Sequence, residues 1–162
     1  MITKVFNLLQ SLRKWYWRIF NIKTYGARVI LLKDNKVFLV RHRYGNVWVF
    51  PGGGIKKGES AEDVASREVF EETGMVVNSF SRKLGVYKNN LEGKNDTITI
   101  FVTSDFSEGG QLNIFERLMK FIEIKESSWF DVDDLPKYIS RASRNRINEH
   151  FDDSSKEYIG EW

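Results

Sequence analysis

Cysteine is absent from this sequence of 162 residues. That excludes a disulfide framework, a thiolate zinc site and any cysteine nucleophile. Proline occurs twice and histidine twice, so there is no proline-rich linker and no histidine cluster for a metal. Long hydrophobic runs are also missing. The longest early stretch, Val5 to Leu12, is broken by Asn7, Gln10 and Ser11 and ended by Arg13 and Lys14. It falls far short of the roughly 20 residues a bilayer span needs, and no small-residue cleavage site follows it. These absences predict a cytoplasmic protein. No repeat or flexible linker divides the chain, and its length suits one globular domain.

The charge is small in sum but uneven in place. Residues 1–33 contain no acid and seven bases. Residues 59–75 hold six acids against Arg67 alone, a net −5, which leaves +8 on the rest of a chain whose total is +3. Taken alone, such an acidic segment reads first as a solvated helix face. On a basic protein it also suits a divalent cation that meets an anionic substrate.

The periodicity changes along the chain. Val5, Leu8, Leu9, Leu12, Tyr16 and Ile19 recur at helical spacing within residues 2–20, among basic residues. They predict an amphipathic N-terminal helix over residues 1–22. Packing on the domain, or on a second copy in a homodimer, is favoured over peripheral membrane contact. From residue 25 the runs become β-rich. Ala27–Leu32 and Val37–Val40 flank Lys33-Asp34-Asn35-Lys36, a hairpin turn. Trp48–Phe50 reads as a short strand before Pro51, and Gly52-Gly53-Gly54 as a flexible turn. Ser60–Thr73 reads as a helix with Ser60 as N-cap and Gly74 at its end. Val76–Tyr87 and Thr97–Thr103 read as strands, residues 104–118 as an irregular loop, and Met119–Ile124 and Ser128–Phe130 as further strands. Residues 140–151 read as a helix whose Arg141, Arg144 and Arg146 form a solvated face. The result is one mixed α/β domain over residues 23–155, with a tail at 156–162.

The chemistry lies between Gly53 and Met75. Gly53 and Gly58 have phosphate-loop spacing, but Glu59-Ser60 follows where a Lys-Ser/Thr pair is required. The dinucleotide pattern fails as well, because Lys57 stands at its last glycine. Glu68, Glu71 and Glu72 share one helix face at i, i+3 and i+4. Ala61, Val64 and Ala65 lie on that same face. An acidic continuation of a core-facing stripe points carboxylates into a cleft, and Arg67 stands one turn from Glu71, within pairing reach. Oxygen donors without Cys or clustered His favour Mg²⁺ or Mn²⁺ over zinc.

Gly53, Glu59, Arg67, Glu68, Val69, Glu71, Glu72, Gly74 and Met75 fill every specified position of G-x5-E-x7-R-E-U-x-E-E-x-G-U, where U is bulky and apolar. The segment resembles the Nudix box. Trp48-Val-Phe-Pro-Gly-Gly resembles that family's lead-in, and Trp129–Pro136 its later strand-to-helix segment. The resemblance covers about residues 24–150. It implies a Nudix α/β/α sandwich, with a mixed sheet between helices, and a pyrophosphohydrolase that cuts a phosphoanhydride of a nucleoside diphosphate linked to another group. A small-molecule substrate rather than DNA follows from it.

By match to the box, the resemblance implies Glu68, Glu71 and Glu72 as metal ligands, with the Gly53 carbonyl as a further one. Arg67 and Glu59 would brace them. Glu71, Glu72 and Arg67 would take part in catalysis. The base would be either a box Glu or a later one; Glu126 stands where many relatives carry an acid, with Glu123 as its alternative. Alternation sends Arg41 and Arg43 to one strand face, where they could meet substrate phosphates, although a solvated edge strand explains them equally. Tyr44, Trp48 and Tyr87 could stack a base, with core packing as the plainer explanation. The missing Cys excludes the family's isoprenoid diphosphate isomerases. The competing functional class is a Nudix domain kept as a non-catalytic ligand sensor or interaction module.

Overall fold

The structure, a computed structural model, describes residues 23–89, 95–109, 111–152 and 157–162. The expected amphipathic helix of residues 2–20, and with it any membrane or dimer contact made there, lies outside the described residues. No helix among the described residues is long and apolar enough to cross a membrane.

Strands β1 (Lys23–Lys33) and β2 (Lys36–His42) form the predicted hairpin. Asp34 and Asn35 take φ of 51° and 59°, left-handed backbone that a two-residue turn of this kind requires and that Asp and Asn tolerate best after glycine. Strand β7 (Asn95–Thr103) runs parallel to β1, and β6 (Arg82–Asn89) runs antiparallel to β7. Two short strands, β3 (Trp48–Val49) and β4 (Gly52–Gly54), pair with β2 and β1 respectively. Strand β9 (Ile124–Asp131) lies against β2. The sheet is therefore mixed.

Both of its faces are buried, which explains the continuous apolar run in β1. Val29 and Leu31 point to one cluster with Phe38 and Val40; Ile30 points to the other with Val37 and Leu39. Helix α1 (Ala61–Thr73) covers the first face through Val64, Ala65 and Val69. Helix α3 (Arg141–Asp152) places Ile147 against the second. That is the α/β/α sandwich that the sequence predicts. Each buried Val, Leu or Ile contributes roughly 1.5–3 kcal/mol by leaving water.

Five local expectations are corrected. Residues 114–123 are not loop and strand but helix α2 (Ile114–Glu123). Asn113 accepts from the Glu116 N–H (2.9 Å), and the Glu116 carboxylate accepts from the Asn113 N–H (2.7 Å). This reciprocal cap starts the helix, and Ile114, Leu118, Phe121 and Ile122 repeat at helical rather than alternating spacing. The glycine turn is instead strand β4, held close to β1. Gly52 has φ 146°, and a Cβ there would run into the Ala27 carbonyl, so no larger residue fits. The single strand expected over 76–87 breaks at Phe80-Ser81 into β5 (Val76–Ser79) and β6. Strand β5 instead pairs with β8 (Asp105–Ser107). The expected tail carries β10 (Tyr158–Glu161), which extends the sheet beside β6. Gly85 admits it, because a Cβ there would meet the Tyr158 carbonyl. Arg146 is not on a solvated face. It is buried, donating to Glu149 (2.6 Å) and to the Glu161 carbonyl (2.9 Å).

Candidate active site

Helix α1 is fixed at both ends. Ser60 Oγ accepts from the Asp63 N–H (3.1 Å) and donates to Asp63 Oδ2 (2.6 Å). At the other end Gly74, φ 83°, donates to the Phe70 carbonyl (2.8 Å). Such caps contribute about 1 kcal/mol each. They also set which residues turn inward. Glu68 and Glu72, four apart, continue the stripe of Val64 and Ala65 into a cleft of about 620 Å³. Arg28 and His42 line the same cleft, as do the glycines of β4 and Glu123 at the end of α2. Tyr25 and Tyr44 stand exposed at its rim.

Glu72 is 3% exposed. Its Oε2 accepts from the Gly52 N–H at 3.0 Å. Burial pushes its carboxyl up to about 8, even though Arg28 and that N–H pull it down. Burial also raises Glu68, against the pull of Arg67. His42 Nε2 stands 3.6 Å from Glu72 Oε1. Burial and the Arg28 charge lower His42 to about 4, so at neutral pH this contact is not an ion pair.

Arg67 is the brace that the sequence suggests. It reaches Glu59 at 3.4 Å, Glu68 at 2.8 Å and Glu71 at 3.2 Å. Glu59 in turn accepts from the Lys56 N–H (2.8 Å), which with Arg67 holds its carboxyl below the usual range. Glu68 is held from the other side as well, because a Cβ on Gly53 would run into its carboxylate. Only glycine lets β4 lie this near α1.

The remaining expected residues fall elsewhere. Glu71 pairs with Arg67 and is outside the cleft lining, its side chain 40% exposed. Glu126 pairs with Arg41 and, with Arg43, lines a different hollow. Of the two acids considered for the base, Glu123 lines the cleft and Glu126 does not. The bulge in β2–β9 pairing between Arg41 and His42 shifts the register there, which spacing alone does not reveal. Trp48 packs edge-on against Phe130, and Tyr87 is buried with its hydroxyl on Glu149. Of the three candidate aromatics only Tyr44 faces the cleft, stacked on His42 at 4.9 Å. Arg28 escaped the sequence reading. Its signal was a charged residue inside an otherwise apolar strand, a placement that needs a partner. It donates to the Phe50 carbonyl at 2.7 Å.

No three His, Asp or Glu groups among the described residues are gathered closely enough to hold a metal ion as they stand. The donors nonetheless suit a hard divalent cation. They are oxygens, and Glu72 is a buried carboxyl that keeps a proton where no cation compensates it. Gly26 leaves the space beside the Gly53 carbonyl open, since a Cβ there would lie 3.1 Å from that oxygen.

The NUDIX domain model matches residues 23–151. The chain is 44% identical over 66 residues to a Bacillus subtilis protein named provisionally as an 8-oxo-dGTP diphosphatase, covering 40% of this chain and 44% of that one. It is 32% identical over 112 residues to the ADP-ribose pyrophosphatase of Methanocaldococcus jannaschii, covering 67% and 62%. It thus spans less than two thirds of the length of these relatives. Among solved structures, a MutT NUDIX hydrolase from Burkholderia pseudomallei aligns with a TM-score of 0.68 at 20% identity, over 79% of this chain and 98% of that one.

Proposed function

This chain belongs to the NUDIX family, and from that premise we propose that it hydrolyses a phosphoanhydride bond of a nucleoside diphosphate derivative with the help of Mg²⁺ or Mn²⁺. The observation that carries the reading is the burial of Glu72 beside Glu68 in a cleft that also holds a cation, Arg28.

Glu68, Glu72 and the Gly53 carbonyl would hold the cation. When bound, the cation supplies neutralisation of phosphate oxygens and a water of lowered pKa. The chain's own residues do the rest. Glu72 must give up its proton for the cation, and its raised pKa makes proton and cation compete for it near neutral pH. Arg67 fixes Glu68 and so saves the cost of ordering a loose carboxylate. Arg28 meets an anionic group of the substrate with a charge already in position. Glu123 is the acid best placed to take a proton, since it faces the cleft. Tyr44, set by His42, offers a face on which a base can stack.

The test is a panel of nucleoside diphosphate derivatives, including triphosphates and ADP-ribose, followed by product chromatography. Turnover of at least one member with Mg²⁺ or Mn²⁺ is expected. It should vanish with EDTA and fall by two orders of magnitude or more, roughly, in Glu72→Gln. Turnover of no member, or full turnover by that variant, would overturn the reading.

A further inference from the structure

Arg43 and Glu126 are left unused by the cleft, yet they meet in a second hollow of about 450 Å³. That size lies within the common range for small-molecule sites, about 300–1,000 Å³. The hollow opens beside the junction of α2 and β9. Its wall carries four cations, Arg43, Arg117, Lys120 and Lys125, and a single acid, Glu126. The acid is already taken by Arg41. The four cations therefore face the hollow with no counter-charge in it.

A solvated basic surface would leave such side chains loose, and two of them are not. Arg43 Nε donates to the Phe121 carbonyl at 2.6 Å, and its guanidinium lies over the Phe121 ring, 4.7 Å from the centroid. The clamp uses one N–H and leaves the terminal nitrogens set for an anion. Lys120 is half-buried and donates to the Thr73 carbonyl at 2.9 Å. Arg117 and Lys125 are exposed and make no ion pair among the described residues. The cations come from three elements: the end of β2, one face of α2 (Arg117 and Lys120, three apart) and the start of β9. That spread suits several linked negative charges better than one.

The hollow adjoins the cleft. Arg43 sits between His42 and Tyr44, both of which line the cleft, and the Arg43 N–H donates to the carbonyl of Glu123 at 2.9 Å. We propose that this hollow is a binding site for a phosphate chain of two or more linked phosphates. The chain can belong to the molecule in the cleft or arrive as a free oligophosphate. Only the first of these sources rests on the hydrolase reading.

The probe is inorganic tripolyphosphate, titrated calorimetrically into the full chain in EDTA. Without a cation the cleft offers a polyanion Arg28 alone, whereas the hollow offers four cations, and the double variant below separates the two. Saturable binding that weakens with added salt is expected. It should weaken about tenfold or more in the Arg117→Gln, Lys125→Gln double variant, since each charge-assisted contact removed costs a large part of a tenfold step. Both positions are exposed, and glutamine keeps helix propensity at residue 117. Circular dichroism of the variant checks that it folds. No saturable binding, or equal affinity in the double variant, would overturn the proposal. Because no turnover is read, the outcome is separate from that of the substrate screen. A second titration with Mg²⁺ and α,β-methylene-ADP present separates the sources. Retained binding identifies a free oligophosphate, and lost binding identifies a chain that shares the cleft.

Discussion

His42 Nε2 stands 3.6 Å from Glu72 Oε1, yet both groups are held in their neutral forms, one pushed down to about 4 and the other up to about 8. Burial dominates both shifts, and it disfavours whichever form is charged. Two neutral partners at this distance leave the cleft short of negative charge until something compensates Glu72. The pair therefore links proton binding, cation binding and stability.

The first prediction is a pH dependence of the metal-free protein. A carboxyl whose folded pKa is raised stabilises the fold fully below its unfolded value near 4.5, and that contribution is lost as pH rises through about 8. His42, lowered from 6.5, acts in the opposite sense as pH falls from 6.5 toward 4. Of these two groups, only Glu72 operates above pH 6.5. Between pH 6.5 and 8, stability in EDTA should fall by up to about 1 kcal/mol per pH unit. Denaturant titrations at several pH values measure it. Glu72→Gln should flatten the slope, and saturating Mg²⁺ should reduce it. An unchanged slope in the variant would assign the effect elsewhere.

Gly53→Ala should damage the site more than its size suggests. The new Cβ would run into the Glu68 carboxylate, so either β4 leaves β1 or Glu68 leaves its place. Overpacking of this kind costs about 1–3 kcal/mol. The expected result is a lower melting temperature together with a weaker Mg²⁺ requirement curve, read as a higher Mg²⁺ concentration at half-maximal turnover. Gly58→Ala is the control. Nothing lies within 4 Å of its Cβ position, although its φ of 89° adds strain of its own.

Arg67→Lys should behave poorly despite keeping the charge. Arg67 meets Glu59 through Nε and both Glu68 and Glu71 through Nη1, and a single ammonium cannot reproduce that spread. Loss of a bracing partner of metal ligands typically costs 10–100-fold in affinity or activity, roughly. The expected signature is a shifted Mg²⁺ dependence with little change in KM for substrate. A changed KM at unchanged Mg²⁺ dependence would place Arg67 on the substrate instead.

These positions differ in how far sequence alone reveals them. The capped helix from Ser60 to Gly74 and the Asp34-Asn35 turn were readable because their rules are local. So was the inward turn of Glu68 and Glu72, since helical spacing fixes a face. Glu71, on the same helix, lies outside the cleft lining and pairs with Arg67. Spacing gives a face but not its edge, and at i+3 Glu71 turns just far enough to reach solvent and Arg67. Arg28 was missed because the Phe50 carbonyl and Glu72, which it meets in the fold, lie far off in sequence. Helix α2 was missed although Asn113 and Glu116 spell its cap, because its apolar residues also read as a short strand.

Glu123 and Glu126 give the sharpest contrast, and their exchange is the last prediction. The two acids lie three residues apart, and sequence spacing favours Glu126. The structure turns Glu123 into the cleft with Glu68 and Glu72, and turns Glu126 onto Arg41 in the neighbouring hollow. A base must reach the proton it takes, so position outranks similarity of residue type. Glu123→Gln should therefore lower kcat by about 10²–10⁴. Glu126→Gln should leave kcat within about threefold, because the exposed ion pair it breaks is worth only about 0–1 kcal/mol. Steady-state kinetics of the two variants on one substrate, across pH 5–9, decides between them. Equal losses, or a larger loss in Glu126→Gln, would mean that β9 shifts its register when substrate binds and brings Glu126 round into the cleft.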